Sequence, residues 1–338
     1  MDSLTHIVLG AAVGEALMGK QVGKWAMLWG AVAGSAPDID AILSFFVSDV
    51  DSLVMHRGIT HSVFTALLVG PLWGWLFWRL NKNIGFLVSW MLLFTSNILL
   101  HNFLDTCTVY GTGLLTPFTE YRFSFDNIFV ADPLYTIPLL IGFFALLLLP
   151  RNHPSRYKWN RFSLIASSAY MLVTFYSHHR ATEELKDSLH EKGIATESYF
   201  AAPTLFNSLL WNVVAADSTG FWVGYYSVFD GSKNPDLYFI PQNNELLADW
   251  SEKDEIRKLK IFTKGFYCIT EKNGNRWFND LRFGQVGGWE NTNGNFAFAF
   301  DLSEDADNTM VVQQGRIDGS RREMIISMWN RIKGNESP

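Results

Sequence analysis

In the first half of this chain, charge is pushed to the ends of apolar runs, and this limits the fold more than any other feature. Six such runs are read, at about 5–18, 25–36 (continuing weakly to 47), 63–78, 84–104, 128–149 and 162–177. A bilayer crossing takes about 20 apolar residues. On that measure the fourth and fifth runs are long enough, while the first, second, third and sixth are short and are expected to cross at thinned places, pair as half-helices or be buried. Gly10, Ala11, Ala12 and Gly14, and then Gly30, Ala31, Ala33 and Gly34, suit close helix contact in lipid. Trp73, Trp75, Trp78 and Trp90 are read as interface markers. The expected fold is an all-α membrane helix bundle (1–177), a connecting helix (178–198) and a small soluble α+β domain (199–338).

Charge supports this division. Residues 1–177 carry ten Lys/Arg and ten Asp/Glu, so the net charge of −6 belongs to the rest. A weakly acidic second half argues against nucleic acid as a partner, since that would call for a basic face. The two cysteines, Cys107 and Cys268, form neither a disulfide framework nor a zinc ribbon. The start, Met1-Asp2-Ser3-Leu4-Thr5-His6, lacks the basic region of a cleaved signal peptide, so the first helix is expected to be retained. Asp2 or Ser3 would cap it.

Three connections are basic: Lys20 to Lys24, Arg79 to Lys82, and Arg151 to Arg161. The positive-inside rule places all three on the cytoplasmic side. The opposite side then receives the N-terminus, loops 38–62 and 105–127, and everything after 177. It also receives every candidate ligand: His6, Asp38, Asp40, His56, His61, His101 and Asp105.

These residues suit metal chemistry by type and spacing. His101 and Asp105, four apart on a helix, project from one face and can grip one ion, although a helix-end histidine beside a solvated aspartate reads the same way. Asp38 and Asp40 follow Pro37; if the stretch is extended, both carboxylates point one way and repel unless a cation lies between them. A helix stop with an Asx cap is the other reading. His56 and His61 would diverge on an ideal helix, so a loop at Gly58 must bring them together. His6 draws its value from facing the same side. Imidazole and carboxylate without thiolate point to one or two Zn²⁺, with Mn²⁺ or Fe also suitable. Asp38 or Asp40 would take a proton from water, and Arg57 and Arg122 would hold an anionic substrate. Asp126 and Asp132 are candidate outer-sphere partners. Glu15 lies toward the other face, His153 lies in a cytoplasmic loop, and His178, His179 and His190 fall on a polar helix.

Further along, Ala181, Leu185 and Leu189 form an apolar helical stripe ended by Gly193. Strand signals follow at 210–214, 221–229, 266–269, 276–278 and 296–300. Asp230-Gly231 and Asn273-Gly274 read as hairpin turns, and 246–261 reads as a charged helix.

Several motifs together resemble the YdjM-like family of membrane-bound metal-dependent hydrolases. They are Asp2-Ser3-Leu4-Thr5-His6, Pro37-Asp38-Ile39-Asp40, His56-Arg57-Gly58-Ile59-Thr60-His61, His101 with Asp105-Thr106-Cys107-Thr108, Tyr110-Gly111-Thr112, Asp126-Asn127-Ile128-Phe129 and Asp132-Pro133-Leu134-Tyr135. The likeness covers about 1–180, and the tail is similar to the extracytoplasmic extension of some members. The order of histidines and aspartates also resembles the zinc-dependent phospholipase C and P1-nuclease group. That likeness implies His6, one of Asp38/Asp40, His61 (or His56), His101 and Asp105 as ligands, with Asp105 bridging two ions. Together these readings imply a multi-pass protein of a bacterial inner membrane with an extracytoplasmic C-terminal domain. It would hydrolyse a phosphoester of a lipid or envelope compound. The competing expectation is a non-catalytic metal carrier or an interaction platform. A carrier needs polar groups continuing to the cytoplasmic side, where the sequence offers little beyond Glu15.

Overall fold

A computed structural model describes residues 1–81, 85–231, 234–248, 253–272, 274–292, 294–302 and 321–334. The chain divides into two compact units. One holds Met1–Ser48 and Val54–Thr174, and the other holds Asp49–Leu53 and Phe175–Pro338.

The first unit is helical. Helices α1 (Ser3–Val22) and α2 (Lys24–Ser35) are joined through Gly23 at φ +63 and fold back on each other. Asp2 caps α1 by accepting from the Thr5 amide at 3.1 Å. The small residues act here as the sequence suggests. A Cβ on Gly10 would lie 2.4 Å from the Gly30 carbonyl oxygen, and one on Gly14 would lie 2.1 Å from that of Ala26. Only bare backbone allows so close an approach.

Helices α4 (Val63–Leu80) and α5 (Leu87–Thr106) form a second antiparallel pair, closed at Gly70 against Thr95 and at Gly74 against Met91. These two helices are long and apolar enough to cross a membrane. The sequence had assigned that length to the fourth run, which is α5 and has it, and to the fifth, whose place is taken by the third run, α4. The third run extends to Leu80. The fifth is shortened to a helix of 16 residues, α6 (Pro133–Leu148), because Asp132 caps it and Pro133 begins it.

Buried Met18, Val22, Ala26, Ala33, Trp90, Leu93 and Phe94 form a core within this unit, with Trp29, Trp73, Phe77 and Trp78 packed against it. Trp90 is therefore a core residue and not an interface marker. Leu68, Leu72, Leu148 and Leu172 point outward and are well exposed, which gives the unit the apolar exterior expected of a surface that meets lipid.

Between α2 and α4 lie a 3-10 helix at Pro37–Phe46, the short helix α3 (Asp49–Met55) and a 3-10 turn at Ile59–His61. Of the two readings left open for Asp38 to Asp40, the extended course is thus excluded, and the segment takes a tight helical one. The polar helix read after residue 178 continues the sixth apolar run, and both form the single helix α7 (Ser155–Glu191).

The second unit carries two antiparallel sheets. One has the order β1 (Ser198–Pro203), β2 (Leu210–Ala216), β3 (Gly220–Ser227) and β4 (Tyr238–Pro241). Ala181, Leu185 and Leu189, the stripe read from sequence, pack on Trp211, Val213 and Tyr226 of this sheet. The other joins β5 (Tyr267–Lys272), β6 (Asn275–Asp280) and β7 (Ala299–Asp301). The Asn273-Gly274 turn falls between β5 and β6 as expected, with Asn273 itself outside the described residues.

Asp230-Gly231 is not a two-residue hairpin. Strand β3 ends at Ser227, and β4 pairs only with the first half of β3, at Val223 opposite Tyr238. Asp230 instead accepts from the Ser227 amide and from Arg331. The charged helix is shorter than read, α8 (Asp254–Phe262), and residues 249–252 of that reading lie outside the described ones. Helix α9 (Arg321–Ile332) had no counterpart in the sequence reading.

Candidate metal centre

The site lies where the N-terminal turn of α1, the 3-10 segments before α4 and the last turn of α5 converge. His101 and Asp105 sit one turn apart on α5, as their spacing requires, with Nε2 3.6 Å from Oδ2. His61 enters from the 3-10 turn, and Asp38 from the segment after Pro37.

Five distances define the arrangement. His61 Nε2 lies 3.0 Å from His101 Nε2, 3.5 Å from Asp38 Oδ1 and 3.3 Å from Asp105 Oδ2. His101 Nε2 lies 3.4 Å from Asp38 Oδ1 and 3.6 Å from Asp105 Oδ2. Four ligands about 2.0–2.1 Å from one tetrahedral ion stand roughly 3.3–3.4 Å apart. Five of the six donor–donor distances are therefore close to those around a small tetrahedral cation, and the sixth, between Asp38 and Asp105, lies within 4.8 Å.

Proton placement strengthens this reading. His101 Nδ1 lies 2.6 Å from the Gly34 carbonyl, which can only accept, so Nδ1 carries the hydrogen and Nε2 presents its lone pair inward. His61 Nδ1 lies 2.9 Å from Thr60 Oγ1, which itself donates to Asp40 Oδ2 at 2.6 Å. The Nδ1 hydrogen of His61 is thereby directed to Thr60, and its Nε2 also faces the centre. Two lone pairs 3.0 Å apart repel unless a positive charge lies between them, either a proton or a cation. Burial lowers the affinity of His61 for a proton, but the carboxylates of Asp105, Asp38 and Asp40 outweigh burial and raise its pKa to about 10. Burial also opposes ionisation of Asp38, yet the neighbouring His101 and His61 imidazoles, when protonated, hold its carboxyl well below the usual range. Asp40 is held low in the same way by His56 and His61.

A second donor group adjoins the first and shares Asp38 with it: Asp38, Asp40 and His56. His56 Nδ1 lies 2.9 Å from Asp40 Oδ1, and the His56 side chain is 36% exposed. His56 and His61 do converge through a loop at Gly58, helped by Arg57 in the left-handed region at φ +60. Although the segment is a 3-10 helix, the two aspartates still reach one locality, through different partners.

The remaining candidates stand around these groups. His6 lies outside the tetrahedron. Its Nε2 is 3.1 Å from the other oxygen of Asp105, its ring stacks on His101 at 3.6 Å, and the Met1 amino group contacts that same oxygen. Arg57 is buried. Its Nε is 3.0 Å from Asp105 Oδ2, and its Nη1 donates to Thr108 Oγ1 at 2.7 Å, so it backs the cage and does not extend toward a substrate. Arg122 donates to the carbonyls of Val54, His56 and Gly111. Both arginines, expected to hold substrate, are placed to brace the loop and Asp105. Asp132 caps α6 and accepts from Tyr170, and Glu15 pairs with Arg156 away from the site. His178, expected on the surface, is half-buried edge-on to Trp211 in the second unit.

Thr60 and Thr108 were quoted only inside longer motifs, and neither they nor the Gly34 carbonyl were given a role from sequence. Thr60 could have been, since a hydroxyl next to a candidate ligand is an available orienting group. A backbone carbonyl leaves no such trace.

The YdjM inner membrane protein family matches residues 1–181, more than half of the chain and all of the residues in both donor groups. The chain belongs to that family. Among its relatives, protein YfhP of Bacillus subtilis (strain 168) is 26% identical over 231 residues, covering 66% of this chain and 68% of YfhP. Inner membrane protein YbcI of Escherichia coli (strain K12) is 30% identical over 122 residues, 36% of this chain and 69% of YbcI. No solved structure matches the chain. The family assignment agrees with the motif resemblance and with the lipid-type exterior of the helical unit.

Proposed function

We propose that this YdjM family member is a multi-pass hydrolase of the bacterial inner membrane, acting on a phosphoester of a lipid or envelope compound. Asp38, His61, His101 and Asp105 would hold a divalent cation, Zn²⁺ by donor type and tetrahedral spacing. The observation that carries the reading is the pair of inward Nε2 atoms 3.0 Å apart, flanked by two carboxylate oxygens. Asp38, Asp40 and His56 offer room for a second ion, with Asp38 shared. Bound cations of this kind lower the pKa of water and offset charge developing on phosphoryl oxygens.

The protein's own groups have distinct roles in this reading. His101 and His61 are fixed by Gly34 and Thr60 so that only their Nε2 atoms face inward. Asp38, common to both donor groups, is better suited to holding ions than to taking protons. With only the first ion bound, the Asp40–His56 pair is the better proton acceptor: its imidazole is reachable from outside and is oriented by a carboxylate at 2.9 Å. The water oxygen attacks phosphorus and its proton passes to His56; as the P–O bond breaks, the protonated His56 returns that proton to the leaving oxygen. Substrate enters on the side of Asp38 and His56, the least covered donors. With the basic connections cytoplasmic, that side and the C-terminal domain are extracytoplasmic.

The test is elemental analysis of detergent-purified full-length protein, paired with phosphate release from phosphoester lipids. The expected result is one or two ions per chain and metal-dependent hydrolysis. Both should be lost in His61→Ala and His101→Ala. If those variants retain the metal content of the wild type, the cage assignment fails. If metal binds normally and no phosphoester is cleaved, the hydrolase reading fails and a metal-binding protein remains.

A further inference from the structure

At the other end of α1 from His6, a cleft of about 770 Å³ opens between α1 and the N-terminal turns of α7. That volume falls within the range of small-ligand sites. Lys20, Arg151 and Arg161 line it as exposed cations, and Leu164 and Ile165 continue it along α7 as an apolar wall. Deeper in, Arg156 is buried and donates to both oxygens of Glu15, at 2.9 and 2.7 Å, so these two charges cancel. Three cations thus remain uncancelled among the lining side chains.

The second observation is a buried acceptor. Asn160 lines the same cleft and is 5% exposed. Its Nδ2 donates to the Ala12 carbonyl at 3.1 Å, which identifies the amide orientation, and its Oδ1 has no hydrogen-bond partner. A buried acceptor left unmet costs about 1–3 kcal/mol. That oxygen is closed off in this structure, so an O–H or N–H from the cleft meets it only when the Asn160 side chain turns toward the cleft.

We infer that this cleft seats the headgroup of an anionic phospholipid that carries hydroxyls, namely phosphatidylglycerol. Its phosphate meets Lys20, Arg151 and Arg161, its glycerol hydroxyl donates to Asn160 Oδ1 once that side chain turns into the cleft, and an acyl chain lies along Leu164 and Ile165. Choline has no hydrogen to donate. An ethanolamine lipid has no net charge to match the three cations. The rim is built from two of the three basic connections, the side on which anionic lipid headgroups attract Lys and Arg. His6 and Gly19 are thirteen residues apart on α1, about 20 Å along a helix axis. The inference rests on membrane residence and is independent of the hydrolase reading.

The test uses full-length protein in detergent, with bound lipid counted by native mass spectrometry after exchange with phosphatidylglycerol, phosphatidylethanolamine or phosphatidylcholine. The expected result is at least a tenfold preference for phosphatidylglycerol over both others. Arg161→Ala and Asn160→Leu should each reduce that preference severalfold while leaving metal content unchanged. Arg151 also donates to the Lys20 and Gln21 carbonyls at the end of α1, so the exposed Arg161 is the safer probe. Millimolar glycerol phosphate should leave the bound lipid in place. Equal retention of the three lipids would overturn the inference, as would an unchanged preference in the Arg161 variant. Displacement by glycerol phosphate would identify a site for soluble phosphate esters instead, and would overturn it too.

Discussion

Each unit of this protein buries a charged centre, and the two centres differ in kind. In the sheet unit, Asp280 and Arg282 are both fully buried. Arg282 Nε and Nη2 donate to the Asp280 carboxylate at 3.0 and 2.7 Å, the Arg282 amide adds a third bond at 2.9 Å, and the guanidinium lies 4.8 Å from the Phe262 ring centroid. One cation meets one anion, and donors face acceptors. In the helical unit, Asp105 is equally buried and also meets cations, the Met1 amino group and Arg57, but on its cage side imidazole lone pairs converge. His61 and His101 point Nε2 at each other, and the His6 Nδ1 atom has no hydrogen-bond partner. Burial of charge therefore does not by itself distinguish a functional centre from a structural one. The distinguishing mark is an excess of inward-facing acceptors, which a cation would resolve and a second side chain does not.

The largest expected effect tests the structural half of this contrast. Asp280→Ala leaves Arg282 buried without its counter-ion, a change that costs about 3–5 kcal/mol in comparable pairs. Thermal unfolding should show the loss as a markedly lower melting temperature, while metal content per folded molecule stays at the wild-type level. Replacing both residues with apolar ones of similar volume should recover much of the stability. If the Asp280→Ala protein folds normally but loses metal, the separation of the two centres is wrong.

On the other side, His101→Ala and Asp38→Asn should weaken metal binding by more than the roughly 10–100-fold typical of losing an outer-sphere partner. Titration calorimetry of the full chain measures this. Chelation should also destabilise the wild type, by about 2.7 kcal/mol relative to protein held at 100 times its dissociation constant. The His101 variant should be insensitive to chelator. Equal sensitivity in the two proteins would mean that the stabilising ion binds elsewhere.

A smaller effect concerns pH. In the metal-free protein the pKa of His61 is raised to about 10 by the carboxylates around it. Its contribution to stability is therefore fully present below its unfolded pKa of roughly 6.5 and is lost as pH rises through about 10. A cation must displace that proton to bind. Between pH 7 and 9, affinity should rise with pH by about tenfold per unit, with one proton released from the protein per ion. Calorimetry in buffers of different ionisation enthalpy counts that proton. No release and no pH dependence would mean that the cage is proton-free before the metal arrives.

Much of this was readable from the residues, for identifiable reasons. The four-residue spacing of His101 and Asp105 and the glycines of α1 and α2 act locally, so sequence distance is a fair guide to space. Gly58 was needed to bring His56 and His61 together, and the structure uses it with Arg57. Failures came where tertiary partners decide. Asp38 to Asp40 could be extended or helical, and the 3-10 choice gives the two carboxylates different partners. Arg57 and Arg122 carry charge that suits a substrate, but the carbonyls and the carboxylate they meet come from distant segments. The Asp230-Gly231 turn signal was real, but Arg331, about a hundred residues later, binds the aspartate and the strands do not close there. Helix α9 follows residues outside the described ones, and its short stripe of Met324, Met328 and Ile332, which packs with Leu210, Tyr225 and Trp289, was not used in the sequence reading.

The finest test concerns one hydroxyl. Thr60 Oγ1 accepts from His61 Nδ1 at 2.9 Å and donates to Asp40 Oδ2 at 2.6 Å. It thereby keeps the imidazole in the form that points a lone pair at the cage, and joins the two donor groups through one atom. Valine has nearly the same shape and lacks the oxygen. Thr60→Val leaves His61 Nδ1 with only the Asp40 oxygen, 3.4 Å away. Loss of such an outer partner should weaken metal binding by about 10-fold, the lower end of the usual range, with little change in melting temperature. Thr60→Ser, which restores the oxygen, should recover the affinity. If the valine variant binds metal as tightly as wild type, the orientation of His61 comes from packing alone, and the cage is held more by its walls than by its hydrogen bonds.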